Sequence, residues 1–325
     1  MVVLATLTLW LGSACASSTP ASGEAASAPE SRDAGPSFKE GLGDVFIGFD
    51  WPETTVGVKR VAQRKSGSLD RSVHSHYQLG VFRERDGGLR LSPRNYVVDS
   101  VTGSFGSGVA TLYDRKGLLG ITYLDSMGRM VKVSDGSFVA EAMDADLQAK
   151  LKAGALPLSS DQELVRKSAT SQQNLQVSAT NVFREVYPGF ALQNLKTGIT
   201  LTGEYVYALP LGGSPWVRSI SSSVLEAPVE CPDPSMKECA RLSIISTTPG
   251  DALQAVSEQL TQILGNPVTV EELRFELKSF LILHYPTGRP LLGEWEEDMR
   301  LKQSVDAQTE IFDEYSKIRL QFEWR

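Results

Sequence analysis

Histidine and cysteine are scarce in this chain of 325 residues, three of each. With only His74, His76 and His284 available, few arrangements of metal ligands or of a nucleophile beside its base can be built. No H-E-x-x-H, G-x-S-x-G or Walker A motif occurs. The glycine-rich run Gly103 to Gly108 has no lysine directly behind it to reach a phosphate, so it reads as a loop. Long apolar runs are also missing. Val2 to Leu11 (VVLATLTLWL) has about half of the roughly twenty apolar residues a membrane-crossing helix requires. Excess positive charge is absent too: a net charge of −7 and a pI of about 5.2 argue against nucleic acid as a partner.

What the chain does have begins with that short apolar run. No charge precedes Glu24, and the run ends in Gly12-Ser13-Ala14-Cys15. Its size is that of a secretory h-region followed by small residues, so residues 1–15 read as an export signal. Two processing routes stay open. Ser13 and Ala14 before Cys15 suit a lipobox, in which the Cys15 thiol is acylated. Ala14-Cys15-Ala16 also suits ordinary cleavage after A-x-A. Gly12 stands where a lipobox has leucine, and no basic residue comes before Arg32, as expected of a start codon set too far downstream. Lipidation of Cys15 explains the odd cysteine, leaving Cys231 and Cys239 to close a disulfide loop in an oxidising compartment.

Residues 16–37 are rich in Ala, Ser, Pro and Gly. Too little apolar surface is available there to offset ordering, so the segment reads as a disordered tether reaching about 25 Å on average. Residues 38–325 hold enough apolar residues (41% of the whole chain) for one β-rich extracytoplasmic domain, with halves 38–188 and 189–325 as the alternative division.

The expected fold is α+β, a mainly antiparallel β-meander with a few helices packed on one face. Alternating runs over Asp44–Trp51, His76–Arg83, Gly88–Ser92 and Asn95–Val101 suggest strands, with Asp86-Gly87 as a hairpin turn. A meander over Val109–Val133 is punctuated by the D-x-x-G turns Asp114–Gly117 and Asp125–Gly128. Helices are expected at Asp144–Ala153, after the capping box Ser160–Glu163, at Asn181–Tyr187 and at Asp251–Leu264, the last capped by Asp251 and stopped by Gly265. Strands return at Leu273–His284, Glu294–Ser304 and Lys317–Trp324. A hairpin at 121–131 resembles one at 283–291, which raises the idea of two similar halves. Clusters of one charge sign, Lys59 to Arg71 and Glu294 to Asp298, are expected on solvated faces.

No catalytic residue and no cofactor follow from these patterns. His74 and His76 share one strand face and could supply two metal ligands, yet no third can be named. Glu294, Glu296 and Asp298 share a face that could serve acid–base work or hold Ca²⁺, although solvent-facing alternation accounts for them. Trp295, Met299 and Leu301, with Phe312, Ile318, Leu320, Phe322 and Trp324, form an apolar set that would line a cleft for a lipid or simply fill the core.

The leader, Leu11 to Cys15 and the tether together resemble bacterial outer-membrane lipoproteins. From about Phe38 onward the pattern is broadly similar to periplasmic lipoprotein-carrier and lipid-binding lipoproteins. That resemblance implies a curved antiparallel sheet closing over helices around an apolar cavity, and it transfers no functional residues. The expected function is that of a non-catalytic envelope lipoprotein, anchored to the membrane by lipid and binding an apolar ligand. The alternatives are a structural or assembly lipoprotein with a protein partner and, lastly, a hydrolase. The expected location is the outer membrane, facing periplasm or surface.

Overall fold

A computed structural model describes residues 44–67, 69–104, 118–154, 193–208, 216–305 and 308–324. The export stretch, Cys15, the tether, the strand expected at 109–113 and the helices expected after Ser160 and at 181–187 lie outside these residues.

The elements in chain order are β1 (Asp44–Ile47), β2 (Thr54–Ser66), β3 (Leu69–Arg83), β4 (Leu89–Ser104), β5 (Ile121–Leu124), β6 (Met130–Asp135) and α1 (Ser137–Lys152). There follow β7 (Gln193–Lys196), β8 (Thr200–Ala208), β9 (Trp216–Val229), β10 (Cys239–Thr247), α2 (Ala252–Leu264), β11 (Val268–His284), β12 (Arg289–Val305) and β13 (Gln308–Glu323). Among the described residues, eleven strands form one sheet in the order β6-β5-β4-β3-β2-β13-β12-β11-β10-β9-β8, while β1 and β7 form a separate two-stranded sheet. All pairings are antiparallel. The fold is thus two meanders joined edge to edge where β2 meets β13, from Ser66 opposite Glu314 to Gly57 opposite Glu323.

Alternation fixes which way each strand faces. The inner face carries Val56, Val58 and Ala62 of β2, Tyr77 and Leu79 of β3, Leu277 and Leu281 of β11, Trp295, Met299 and Leu301 of β12, and Ile318, Leu320 and Phe322 of β13, all buried. The described helices α1 and α2 lie against this face. Phe138 of α1 packs on Tyr77 and Tyr96, with ring centroids 5.3 and 6.0 Å apart. Val256 and Leu260 of α2 join the same core as Val217 and Phe275. Two helix hydroxyls stitch α2 to β11, the Val270 and Val268 amides donating to Ser257 Oγ and Thr261 Oγ1, both at 2.9 Å. The β1–β7 sheet covers the inner face farther along. Ile47 closes a second apolar cluster with Leu225, Leu242 and Leu281, and Val45 and Leu195 pack against it.

Several expectations shift in detail. The helix expected at 144–153 begins at Ser137, where the Asp135 carboxylate accepts the Ser137 amide at 2.8 Å and Phe138, Val139, Ala142 and Met143 extend the buried stripe. Asp251 stands at the N-cap of α2 but makes no side-chain capping bond, whereas Gly265 ends that helix in the left-handed region at φ 73°. The runs on either side of Pro93 are one strand, β4, interrupted by register shifts near Asn95 and Asp99. The hairpins at 121–131 and 283–291 occupy different places, one at the edge of the sheet and one in its middle.

Candidate functional site

Among the described residues, the charged side chains that are buried are Arg60, Arg71, Asp146 and Lys150. The basic run expected on a solvated face is strand β2 entering β3, and parity turns Arg60 and Arg71 inward, 0% and 2% exposed. Arg60 faces Asp146 of α1 at 3.8 Å, with both side chains fully buried. Its Nη1 donates to Tyr96 Oη at 3.4 Å. The Tyr96 hydroxyl donates to Asp146 Oδ1 at 2.7 Å and accepts from Ser75 Oγ at 2.9 Å. Burial pushes the Tyr96 hydroxyl far above the ordinary tyrosine range, so it keeps its proton and stays a donor. The network ties three strands to one helix, and its chemistry is that of a latch.

The apolar set of the C-terminal hairpin lies mostly within the main core. Trp295 and Ile318 are register partners, as are Leu301 and Phe312. Trp295, Met299, Leu301, Ile318, Leu320 and Phe322 belong to the buried cluster, and Trp324 packs against it. Phe312 is 40% exposed at the end of the same row.

An apolar groove open to solvent occurs elsewhere, at the β8 edge of the sheet. It has a volume of about 210 Å³ and lies between the β7–β8 turn and the inner faces of β9 and β10. Leu225 and Leu242 are its floor, 4% and 6% exposed. Ile199 and Leu201 form the outer wall, with 46% and 55% of their surface in water. Leu195, Lys196 and Ser223 complete the lining. The turn that carries Ile199 is held down by the Gly198 amide, which donates to Leu225 O at 2.9 Å, with Gly198 in the left-handed region at φ 74°. At the rim Lys196 pairs across the strand with Asp44, so β1 begins beside the groove.

The remaining candidates have simpler explanations. Glu294, Glu296 and Asp298 do share the outer face, but each meets a cation: Lys317 lies 2.6 and 3.7 Å from the two glutamates, and Arg274 lies 2.6 Å from Asp298. His76 Nδ1 sits 2.8 Å from Asp99 Oδ1, both about half exposed. His74 is exposed on the same face of β3. Among the described residues no three metal-ligating side chains gather. His284 Nδ1 lies 2.8 Å from Thr287 Oγ1 within the β11–β12 turn. A wider depression of about 560 Å³ between β4 and α1 has a mixed lining, with Val98, Val101, Ala145 and Ala149 beside Asp99, Ser100, Gln148 and Lys152.

No protein-family model matches the chain, and no curated protein matches it in sequence. Two solved structures give weak likenesses to it. One shows lipid–protein interactions in lipovitellin, at 12% identity and a TM-score of 0.37, covering 88% of this chain and 26% of that one. The other is OpdQ of Pseudomonas aeruginosa, at 8% identity and a TM-score of 0.16, covering 82% of this chain and 98% of that one. The chain thus spans about a quarter of the lipovitellin chain, and neither likeness is close enough to carry an argument about function.

The groove residues were not among the sequence candidates. A signal existed in Leu195, Ile199 and Leu201 around Thr197-Gly198, a turn between short apolar alternations. It was hidden because the facing strand presents Ser219, Ser221 and Ser223 inward, where an alternating strand would show apolar residues.

Proposed function

We propose that the protein is a membrane-tethered envelope lipoprotein that binds an apolar ligand such as a lipid. The observation carrying this reading is the groove of about 210 Å³ whose floor is Leu225 and Leu242 and whose wall is half-exposed Ile199 and Leu201. Binding sites combine apolar linings with a few polar groups, and this one has that composition. The address comes from the sequence: an export run, Cys15 as the lipid attachment point and a tether. Because Asp44 pairs with Lys196 at the rim, a chain anchored through Cys15 would enter the domain next to the groove.

Native mass spectrometry of protein taken from its own membranes tests the reading. The expected result is a bound lipid that is lost when Leu242→Trp fills the floor. Release of Cys15→Ser into the soluble fraction is expected alongside. A lipid-free spectrum with a stoichiometric protein partner would favour the assembly alternative, for which Ile220 and Ile245, 39% and 47% exposed on the outer face, would supply a surface.

A further inference from the structure

We infer that the groove takes a single acyl chain whose head group is an anion, with Lys196 as the residue that meets the head. This assignment rests on the apolar-ligand reading above and specifies its ligand.

Size sets the number of chains. Sites that enclose drug-sized ligands have roughly 300–1,000 Å³, and 210 Å³ leaves room for one chain segment and none for a second tail alongside. The floor and wall offer only aliphatic carbon, so the inserted part must be apolar.

Polar groups set the head. The lining has two polar side chains, Ser223 and Lys196. The Ser223 hydroxyl is directed at the Leu201 carbonyl, to which it donates at 3.5 Å. Lys196 is exposed at the rim, and among the described residues it forms no ion pair, although Asp44 is its cross-strand neighbour. Lysine can lay its methylene stem along apolar surface while its ammonium stays in water. A chain seated against Leu201 and Leu225 therefore places its head within reach of the Lys196 ammonium at the rim. Two sources share this chemistry, a free fatty acid and an acidic single-chain phospholipid.

Titration calorimetry on the full chain carrying Cys15→Ser, at low salt, distinguishes the outcomes. The probes are laurate, lauroyl lysophosphatidylglycerol and monolaurin, which has the same chain and no charge. Laurate or the lysolipid is expected to bind about three- to fivefold more tightly than monolaurin, the range of one exposed ion pair. The stronger of the two names the source. Lys196→Gln should remove the preference, Lys196→Arg should keep it, and added salt should shrink it. Leu201→Ser, at an exposed position that leaves the fold intact, should weaken all three probes, as should Leu242→Trp if that variant folds. Equal affinity for laurate, lysolipid and monolaurin in the parent chain would overturn the anionic head while leaving the groove as an apolar site. Binding of none of the three, or binding indifferent to Leu201→Ser, would overturn the apolar-ligand reading itself.

Discussion

Arg60 and Asp146 face one another at 3.8 Å with neither side chain reaching solvent. One belongs to the sheet and the other to α1, so the pair fixes how that helix lies. Removing one partner strands a buried charge, at a cost of about 3–5 kcal/mol, whereas replacing both with apolar residues of similar size costs far less. Arg60→Met should therefore lower stability by roughly that amount in denaturant unfolding, and Arg60→Met with Asp146→Leu should recover most of it. A double variant as unstable as the single one would show that the two charges do not depend on each other.

Gly48 lies where the chain leaves β1 and crosses the β11–β12 turn. Its amide donates to Tyr285 O at 2.8 Å, and a Cβ at this position would stand 1.9 Å from Pro286 O. Backbone must move to admit even a methyl group. Gly48→Ala is expected to cost about 1–3 kcal/mol, the usual range for overpacking, and thermal melts would show it. An unchanged melting temperature would mean that the turn yields freely.

The same turn holds His284, whose pKa is depressed below 6.5, first by burial and then by the neighbouring Arg289 cation. Between the folded and unfolded values the unfolded chain binds more protons. Stability therefore falls as pH drops through about 6.5, and the loss levels off below the folded pKa. His284→Gln should flatten this part of the pH–stability profile. An identical slope in the variant would assign the dependence to other groups.

Cys231 and Cys239 are disulfide-bonded with eight residues of separation. The bridge closes the connection between β9 and β10, just ahead of the strand that supplies Leu242 to the groove floor. Closing so short a loop is worth about 2–3 kcal/mol by chain entropy. Reduction, or a Cys231→Ser/Cys239→Ser pair, should lower stability by that amount, and non-reducing peptide maps should recover the two half-cystines together.

We propose that residues 38–325 fold as one unit, since β2 of the first half and β13 of the second are hydrogen-bonded along ten residues each. Cleavage between Pro188 and Gly189 should leave two pieces that co-elute on gel filtration. Neither half expressed alone should give a cooperative unfolding transition. Two independently folding halves would support the rival division.

Legibility in the sequence followed the quality of the alternation. β13 could be read directly, because Ile318, Leu320, Phe322 and Trp324 alternate with Lys317, Arg319, Gln321 and Glu323. β2 could not, because Lys59, Arg60, Arg64 and Lys65 put charge on both parities, and only the fold shows that Asp146 and Glu314 receive the inward ones. In β9 serines take the inward positions, Ser221 bonding to Ser246 of the next strand, and the period of two disappears from view. α1 was placed too late for a related reason: Phe138 and Met143 look like strand residues until Tyr77 and Tyr96 are there to receive them. The groove escaped because its floor, Leu225 and Leu242, lies well separated in sequence from its wall, Ile199 and Leu201, and only register joins them. The sequence reading instead found the apolar C-terminal hairpin, whose members are near neighbours in the chain.

The seam between β2 and β13 also sets an order in time. Ser66 waits for Glu314, so a ribosome must make nearly the whole chain before the middle of the sheet can close. Until then β2 presents an open row of backbone donors and acceptors, the kind of edge that recruits stray strands. Contacts this distant in sequence make folding slow. If the chain is exported as proposed above, that delay would keep it pliable during passage and defer assembly to the far side of the membrane.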